Sequence, residues 1–317
     1  MSDHAGVWRA AAEAAGRGAR AALATVSRRR GSLPMASDAK LFISPERRVG
    51  TVGGGCVEAD VILQALGTDR PVTVQHTLNS DVAGDLGLSC GGTVDLFLEP
   101  VVPEAAVLYA AVADAIDRRV AGQVTTAHRW ERGPRKLARL GEASVVVGDM
   151  PSGEVFEERV PRAPRLVLFG AGHVAEAIAR VAAATDFRVT VVDDRAEFAH
   201  LDRFPGAEVV VDDLRAALRG FTWDADDYVI ACTRGHAQDA LVVQSVAGTS
   251  ARYVGMLGSR RKQAVIWKAL AQAGVSEQAL ARVKVPIGER IGADTPGEIG
   301  VSVMAELIRL RRLTSPA

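Results

Sequence analysis

An α/β fold is predicted by three observations. From residue 165 onward, short apolar runs alternate with helical segments, the pattern of a parallel sheet covered by helices. The first of these runs ends in Gly170-Ala-Gly172-His-Val-Ala175, and Asp193 closes the next run about 20 residues later. Before residue 160 the strand-like and helical segments are mixed rather than alternating. The expectation is a C-terminal Rossmann-like, doubly wound parallel sheet (residues 165–317), preceded by a mixed α+β domain (residues 1–160). Pro161-Arg-Ala-Pro164 lies between them, and two prolines so close resist continuation of helix or sheet.

Taken in order, Val7–Ala15 is alanine-rich and predicts a helix. Ala21–Ser27, Lys40–Ser44 and Arg48–Val52 read as strands separated by loops. Apolar residues at 57, 61, 62, 63 and 66 place an amphipathic helix over Cys56–Leu66. Strands follow at Val72–Leu78 and Thr93–Glu99, then a helix from Pro103, where proline suits a first turn. Residues 120–160 return to strands. In the second half, strands are expected at 165–169, 188–192, 208–211, 227–232 and 252–255. Thr295-Pro-Gly-Glu298 predicts a capping box for the last helix, which runs into the Arg-rich stretch 309–312 at its negative end.

Composition narrows the function. Hydrophobic residues make up 48% and charged residues 24% of the 317, as in globular domains. Lys plus Arg and Asp plus Glu are 38 each, so the net charge is zero and a bulk nucleic-acid binder is not expected. No apolar stretch reaches the ~18–20 residues of a membrane span. The N-terminus carries Asp3 and Glu13 among scattered arginines, unlike a secretory signal, so a cytoplasmic protein is expected. Three cysteines, Cys56, Cys90 and Cys232, cannot form a disulfide framework, and no C-x-x-C pair suggests structural zinc.

The turn after residue 169 fits a dinucleotide fingerprint. Gly170 permits the tight turn, Gly172 admits a pyrophosphate to the helix N-terminus, and Asp193 can receive ribose hydroxyls. Asp194 disfavours a 2′-phosphate, so NAD is expected over NADP if a dinucleotide binds. His173 either contacts a ligand phosphate or faces solvent. Arg234 and His236 follow the fourth strand at the ligand-binding edge, and Gly258–Lys262 makes a basic helix start. Arg234 can receive an anion and His236 can act as a base or ligand, or the two belong to a polar turn; the 258–262 string suits phosphate or is a solvated charge run.

Two cysteines sit in glycine-rich turns. Gly53, Gly54 and Gly55 precede Cys56, and Gly91 and Gly92 follow Cys90. Glycines let a ligand approach the backbone closely, and the positive end of a helix favours thiolate at Cys56, an effect that Glu58 opposes. A lone cysteine is usually a small buried hydrophobe, but two in this setting suggest a soft metal or sulfur ligand. Cys232, at the end of an apolar strand, reads as core or rim.

These strings resemble the XdhC/CoxI family, the accessory proteins of xanthine dehydrogenase and related molybdenum hydroxylases. The resemblance spans nearly the whole chain. It takes in Gly31-Ser-Leu-Pro34, Gly50 to Glu58, Gly87 to Gly92 with Leu98-Glu-Pro100, Gly170 to Val174, Arg252 to Lys262, Pro286-Ile-Gly288, Ile291 to Ile299 and Ala305-Glu306. It implies a chaperone rather than an enzyme. Such a protein binds molybdenum cofactor (molybdopterin), protects it during sulfuration by a cysteine desulfurase, and delivers it to apo xanthine dehydrogenase or a related molybdenum hydroxylase. The resemblance makes Cys56 and Cys90 the leading contacts to molybdenum, with glycine N–H groups cradling the pterin phosphate. The chain departs from the family pattern at Met35 and Asp38, where Arg and Gly are usual, and at Glu289-Arg290. An NAD-dependent oxidoreductase using the Rossmann-like half is the alternative, and a homodimer is left open.

Overall fold

A computed structural model describes residues 4–31, 33, 35–78, 92–160 and 162–313. The chain divides into two compact units, Met1–Arg162 and Ala163–Ala317.

Unit 1 begins with α1 (His4–Gly16), whose small side chains let Val7, Trp8, Ala11, Ala14 and Ala15 all become buried. Next come β1 (Ala22–Gly31), β2 (Lys40–Ile43), β3 (Arg48–Gly50), α2 (Gly55–Gly67), β4 (Val72–Leu78) and β5 (Gly92–Pro100). These strands form an antiparallel sheet in the order β3-β2-β1-β5-β4. A short 3-10 turn (Pro103–Ala105) precedes α3 (Ala106–Asp117), so the proline starts a tight turn rather than the α-helix itself. A second antiparallel sheet, β6 (Gly122–Ala127), β7 (Lys136–Leu140), β8 (Ala143–Val147) and β9 (Val155–Val160), has the order β8-β7-β6-β9.

The period-2 alternation of strands gives the first sheet two apolar faces. Ala22, Ala24, Leu41, Ile43, Leu96 and Leu98 pack with Val57, Val61 and Ala65 of α2. On the other side Leu23 and Phe42 join α1, α3 and the second sheet. Two buried ion pairs link the sheets. Lys40 on β2 meets Glu158 on β9 at 2.8 Å and donates to Thr25 at 2.7 Å, with its ammonium 4.3 Å from the Trp8 ring centre. Lys136 on β7 pairs with Glu99 on β5, and both side chains are fully buried. Phe97 of β5 stacks on Phe156 of β9, adding an aromatic contact between the sheets.

Unit 2 contains β10 (Arg165–Phe169), α4 (His173–Ala183), β11 (Arg188–Asp193), β12 (Glu208–Val211), α5 (Leu214–Gly220), β13 (Asp227–Ala231), α6 (His236–Val246), β14 (Tyr253–Met256), α7 (Arg260–Gln272), α8 (Glu277–Ala281), β15 (Val283–Lys284) and α9 (Pro296–Leu313). All six strands are parallel in the order β12-β11-β10-β13-β14-β15. Strand order reverses between β10 and β13, which is the doubly wound Rossmann arrangement with its crevice at that point. The sheet is buried on both faces. Leu166, Leu168 and Ile230 pack under α4 and α9, and Val167, Val229 and Ala231 under α6 and α7. The two-residue β15 carries too short an apolar run to be read from sequence.

The capping box forms as its spacing predicts. Glu298 accepts from the amides of Asp294 and Thr295 at 2.9 Å each, and Thr295 Oγ1 accepts from the Glu298 amide at 3.3 Å. These amide bonds hold the Glu298 carboxyl below the usual glutamate range. Since its folded value lies below its unfolded one, the carboxylate supports the helix above the ordinary glutamate pKa, and this support fades as pH falls through the folded value. Replacing Thr295 by alanine is expected to cost about 1 kcal/mol, read as a lower melting midpoint, and less in acid. No helix among the described residues is long and apolar enough to cross a membrane.

Candidate functional site

In unit 1 the glycine-bearing segments converge at one end of the first sheet. The β1–β5 ladder ends with Gly31 opposite Gly92. Leu33 packs against Gly92, and Met35, itself buried, packs against Gly53. Arg29 reaches from β1 to donate to the Met35 carbonyl, so Met35 is tied back to that strand. Met35 therefore fills an apolar place, while the neighbouring guanidinium belongs to Arg29.

Gly53 and Gly54 both have positive φ, 121° and 71°, which only glycine adopts without strain. Beside Gly54 a side chain would meet no atom within 4 Å, so the backbone there is open to a ligand. Gly54 is the N-cap of α2 and supplies no side chain to its first-turn amides, so Gly55 and Cys56 open a helix whose terminal donors lack helical partners. The loop amides before it are already engaged. Glu58 Oε2 accepts from Thr51 Oγ1 at 2.7 Å and from the amides of Val52 and Gly54 at 3.2 Å, and Thr51 Oγ1 accepts from the Gly53 amide at 3.2 Å. Glu58 thus organises the loop. The amides remaining for an anion are those of the helix start, rather than those of Gly53 and Gly54.

Cys90 and Gly91 lie outside the described residues, as do Ser32 and Pro34. The sequence places Cys90 two residues before Gly92, where β5 begins beside Leu78 of β4. Asp60, one helical turn after Cys56 on α2, pairs with His76 Nδ1 of β4 at 3.5 Å. His76 Nε2 is buried without a partner among the described residues. Neither Asp60 nor His76 stood out in the sequence, because nothing local relates a helix residue to a strand residue 16 positions on. Among the described residues no group of three or more His, Cys, Asp or Glu side chains is arranged to hold a metal ion.

In unit 2 a small, open cleft lies at the carboxyl edge of the sheet, lined by Gly170, Asp193, Asp194, Asp212, Thr233 and Arg234 among others. Gly170, with φ 115°, lies between the ends of β11 and β13: its amide donates to Val192 at 2.7 Å. A Cβ at Gly170 would stand 2.7 Å from the Cys232 carbonyl carbon. Gly172, the N-cap of α4, has ordinary extended backbone and open space beside it, so nothing in the chain itself demands glycine there. His173 is the exposed first residue of α4.

The glycine turn is clamped through the peptide groups of Ala171. Its amide donates to Asp193 Oδ2 at 2.8 Å, and its carbonyl accepts from Arg203 Nη1 at 2.9 Å. Arg203 also donates to Glu176 in the first turn of α4, and this bond holds the Glu176 carboxyl below its usual range. Burial raises the Asp193 pKa, but the bonds from Arg195 and the Ala171 amide outweigh it and leave that carboxyl lowered. Asp194 pairs with Arg234 at 2.8 Å.

Of the anion-binding candidates after β13 and β14, Arg234 and Lys262 have internal partners, while His236, Arg260 and Arg261 are exposed. Asp239, fully buried, accepts from the Thr233 amide at 3.1 Å and hydroxyl at 2.8 Å, and pairs with Lys262 at 2.5 Å. Lys262 is therefore a structural cation that ties α7 to the Thr233 turn. Cys232 donates to the Gly170 carbonyl at 3.6 Å, and burial pushes its thiol far above the ordinary range, so it belongs to the sheet.

Comparisons with known proteins bear on both units. The XdhC Rossmann domain profile matches residues 166–307, and the XdhC and CoxI family profile matches residues 14–76. A protein of Bacillus subtilis (strain 168) described as a probable xanthine dehydrogenase subunit is 28% identical over 315 residues, covering 92% of this chain and 93% of that protein. The molybdenum cofactor insertion chaperone PaoD of Escherichia coli (strain K12) is 26% identical over 314 residues, covering 98% and 89%. YqeB of the same organism, an uncharacterized protein, is 29% identical over 298 residues, and the match spans only 43% of its length. A crystal structure of a xanthine dehydrogenase from Bacillus halodurans superposes with a TM-score of 0.80 at 25% identity, over 100% of this chain and 98% of that one. Carrying both profiles in order and the fold of this relative, the chain belongs to the XdhC and CoxI family.

Proposed function

We propose that the protein is an accessory chaperone that binds molybdenum cofactor and delivers it to xanthine dehydrogenase or a related molybdenum hydroxylase in the cytoplasm. The observation that carries this reading is the convergence of Gly31, Leu33 and Met35 with the Gly53–Cys56 turn and the start of β5 at one end of unit 1. The names of PaoD and of the Bacillus subtilis relative point the same way.

The residues present suit such a ligand. The terminal amides of α2 fit an anionic phosphate, and the open space beside Gly54 leaves room for it. Molybdenum, when bound, would supply a soft centre for thiolate, and the cysteines are the soft donors of this region. In this reading Cys56 and Cys90 hold the metal, Gly55 and Cys56 offer amides to the phosphate, and the open side of Gly54 lets the pterin approach, Gly53 and Gly92 being covered by Met35 and Leu33 and Gly91 lying outside the described residues. Protection during sulfuration by a cysteine desulfurase belongs to the same proposal.

Full-length protein loaded with molybdenum cofactor and passed through a desalting column should retain molybdenum, measured by elemental analysis. Cys56→Ala and Cys90→Ala are each expected to weaken retention about tenfold, about 1.4 kcal/mol. Unchanged retention in both variants, with an unchanged melting midpoint, would remove the cysteines from the site. No retention by the wild-type protein would remove the reading itself.

A second reading concerns unit 2 alone. The crevice between β10 and β13, with open space beside Gly172, favours a dinucleotide such as NAD with its pyrophosphate at α4 near His173. Such binding serves a redox activity or a regulatory one equally well.

A further inference from the structure

In a doubly wound sheet the acidic residue closing the second strand ordinarily receives ribose hydroxyls. Asp193 occupies that position, but its acceptor capacity is spent. A carboxylate offers about four lone-pair sites. Oδ1 takes the Arg195 amide at 3.1 Å and Nε at 2.8 Å, while Oδ2 takes the Ala171 amide at 2.8 Å and Arg195 Nη2 at 2.9 Å. The side chain is 5% exposed. Arg195 is itself held in place by the Phe198 ring, 4.0 Å from its guanidinium carbon. Asp193 is thus a clamp joining the end of β11 to the glycine turn.

The next carboxylate is differently placed. Asp194 is 37% exposed and lines the same cleft as Gly170 and Thr233. Among the described residues its one bond of hydrogen-bond length is to Arg234, which is half exposed, with Arg195 Nε farther off at 3.8 Å, and an ion pair this open to water is easily exchanged for another partner. Asp212 adds another carboxylate to the lining, and Arg234 is its cation.

We propose that Asp194, rather than Asp193, receives the vicinal ribose hydroxyls of a nucleotide lacking a 2′-phosphate, giving up its contact with Arg234 to do so. This rests on the dinucleotide reading of unit 2 and names its sugar contact. A vicinal diol presents two donors to the two oxygens of one carboxylate, whereas an ionised 2′-phosphate offers Asp194 only acceptors and adds its charge to those of Asp194 and Asp212.

The test is fluorescence titration of the full-length protein with NADH and with NADPH, for wild type, Asp194→Asn and Arg234→Gln. Both substitutions are at exposed side chains, and an unchanged melting midpoint verifies folding. Wild type is expected to prefer NADH over NADPH on the order of tenfold, and Asp194→Asn to lose about tenfold for NADH while narrowing that preference. Arg234→Gln should bind NADH within about threefold of wild type, since Arg234 competes with the ribose for Asp194. Wild-type affinity in Asp194→Asn overturns the assignment, as does equal weakening in both variants, which would make the ion pair itself the important feature. Absence of NADH binding by wild type at millimolar cofactor overturns the nucleotide reading as well, and leaves the unit 1 proposal untouched.

Discussion

Replacing Lys136 by methionine is expected to destabilise the protein by about 3–5 kcal/mol, because the change leaves Glu99 as a charged group in an apolar interior. Lys136 and Glu99 are both fully buried, and the ammonium also donates to Thr126 at 2.9 Å. Glu99 Oε1 is buried without a partner among the described residues, so no second hydrogen bond there offsets the carboxylate. Burial first, and then the Glu99 charge, push the Tyr109 phenol well above its ordinary range, which marks how dry the surroundings are. The readout is the denaturation midpoint of unit 1, with a fall on the order of 10 °C. A double variant, Lys136→Met with Glu99→Leu, should recover most of the loss, since apolar residues of similar volume often replace a buried pair at little cost. If the double variant is no more stable than the single one, the pair is not what joins the two sheets. Lys40→Met should cost less, because Glu158 keeps 12% of its surface in water.

Gly170→Ala is expected to be comparably damaging in unit 2. The φ of 115° lies where only glycine is at ease, a strain of about 1–3 kcal/mol for any other residue. The new methyl would also be forced against the Cys232 carbonyl and Thr233 Cα, adding about 1–3 kcal/mol of overpacking. Relief requires β10 and β13 to part at their carboxyl ends, where Cys232 donates its amide to Phe169 at 2.9 Å. Gly172→Ala is the control. Its extended backbone and empty surroundings predict a change within about 0.5 kcal/mol, measured by the same thermal melts. A similar loss in both variants would show that the two glycines do not have separate roles, one in packing and one in leaving room.

Much of the architecture was legible because it is written in local patterns. Strand alternation and helical periodicity place most elements of both units to within a few residues, while residues 120–160 read only as strands, without the bounds of β6 to β9. The capping box at Thr295 and Glu298 is legible for the same reason: its three hydrogen bonds lie within five consecutive residues. The glycine turn after Phe169 announces both the parallel sheet and the position of its crevice. Elements with weak patterns escaped. The two-residue β15 has no periodicity to show, and the 3-10 turn at Pro103 differs from an α-helix start only in how tightly it winds.

The roles of individual side chains divided along the same line. Sequence alone determined the family strings, the Rossmann-like half, the exclusion of a disulfide framework, and the setting of Cys56 beside three glycines. Tertiary structure alone decided which polar groups were free to meet a ligand. It turned Glu58 back onto the Gly53–Gly54 loop, gave Lys262 to Asp239, and filled Asp193 with Arg195 and Ala171 while leaving Asp194 open to the cleft. It also set Lys40 against Glu158 and Lys136 against Glu99, partners 118 and 37 residues apart. The physical reason is one of range. Periodicity and turn chemistry act over a few residues and survive in any window of sequence. Whether a charge is satisfied depends on groups that only the folded chain brings within hydrogen-bond reach.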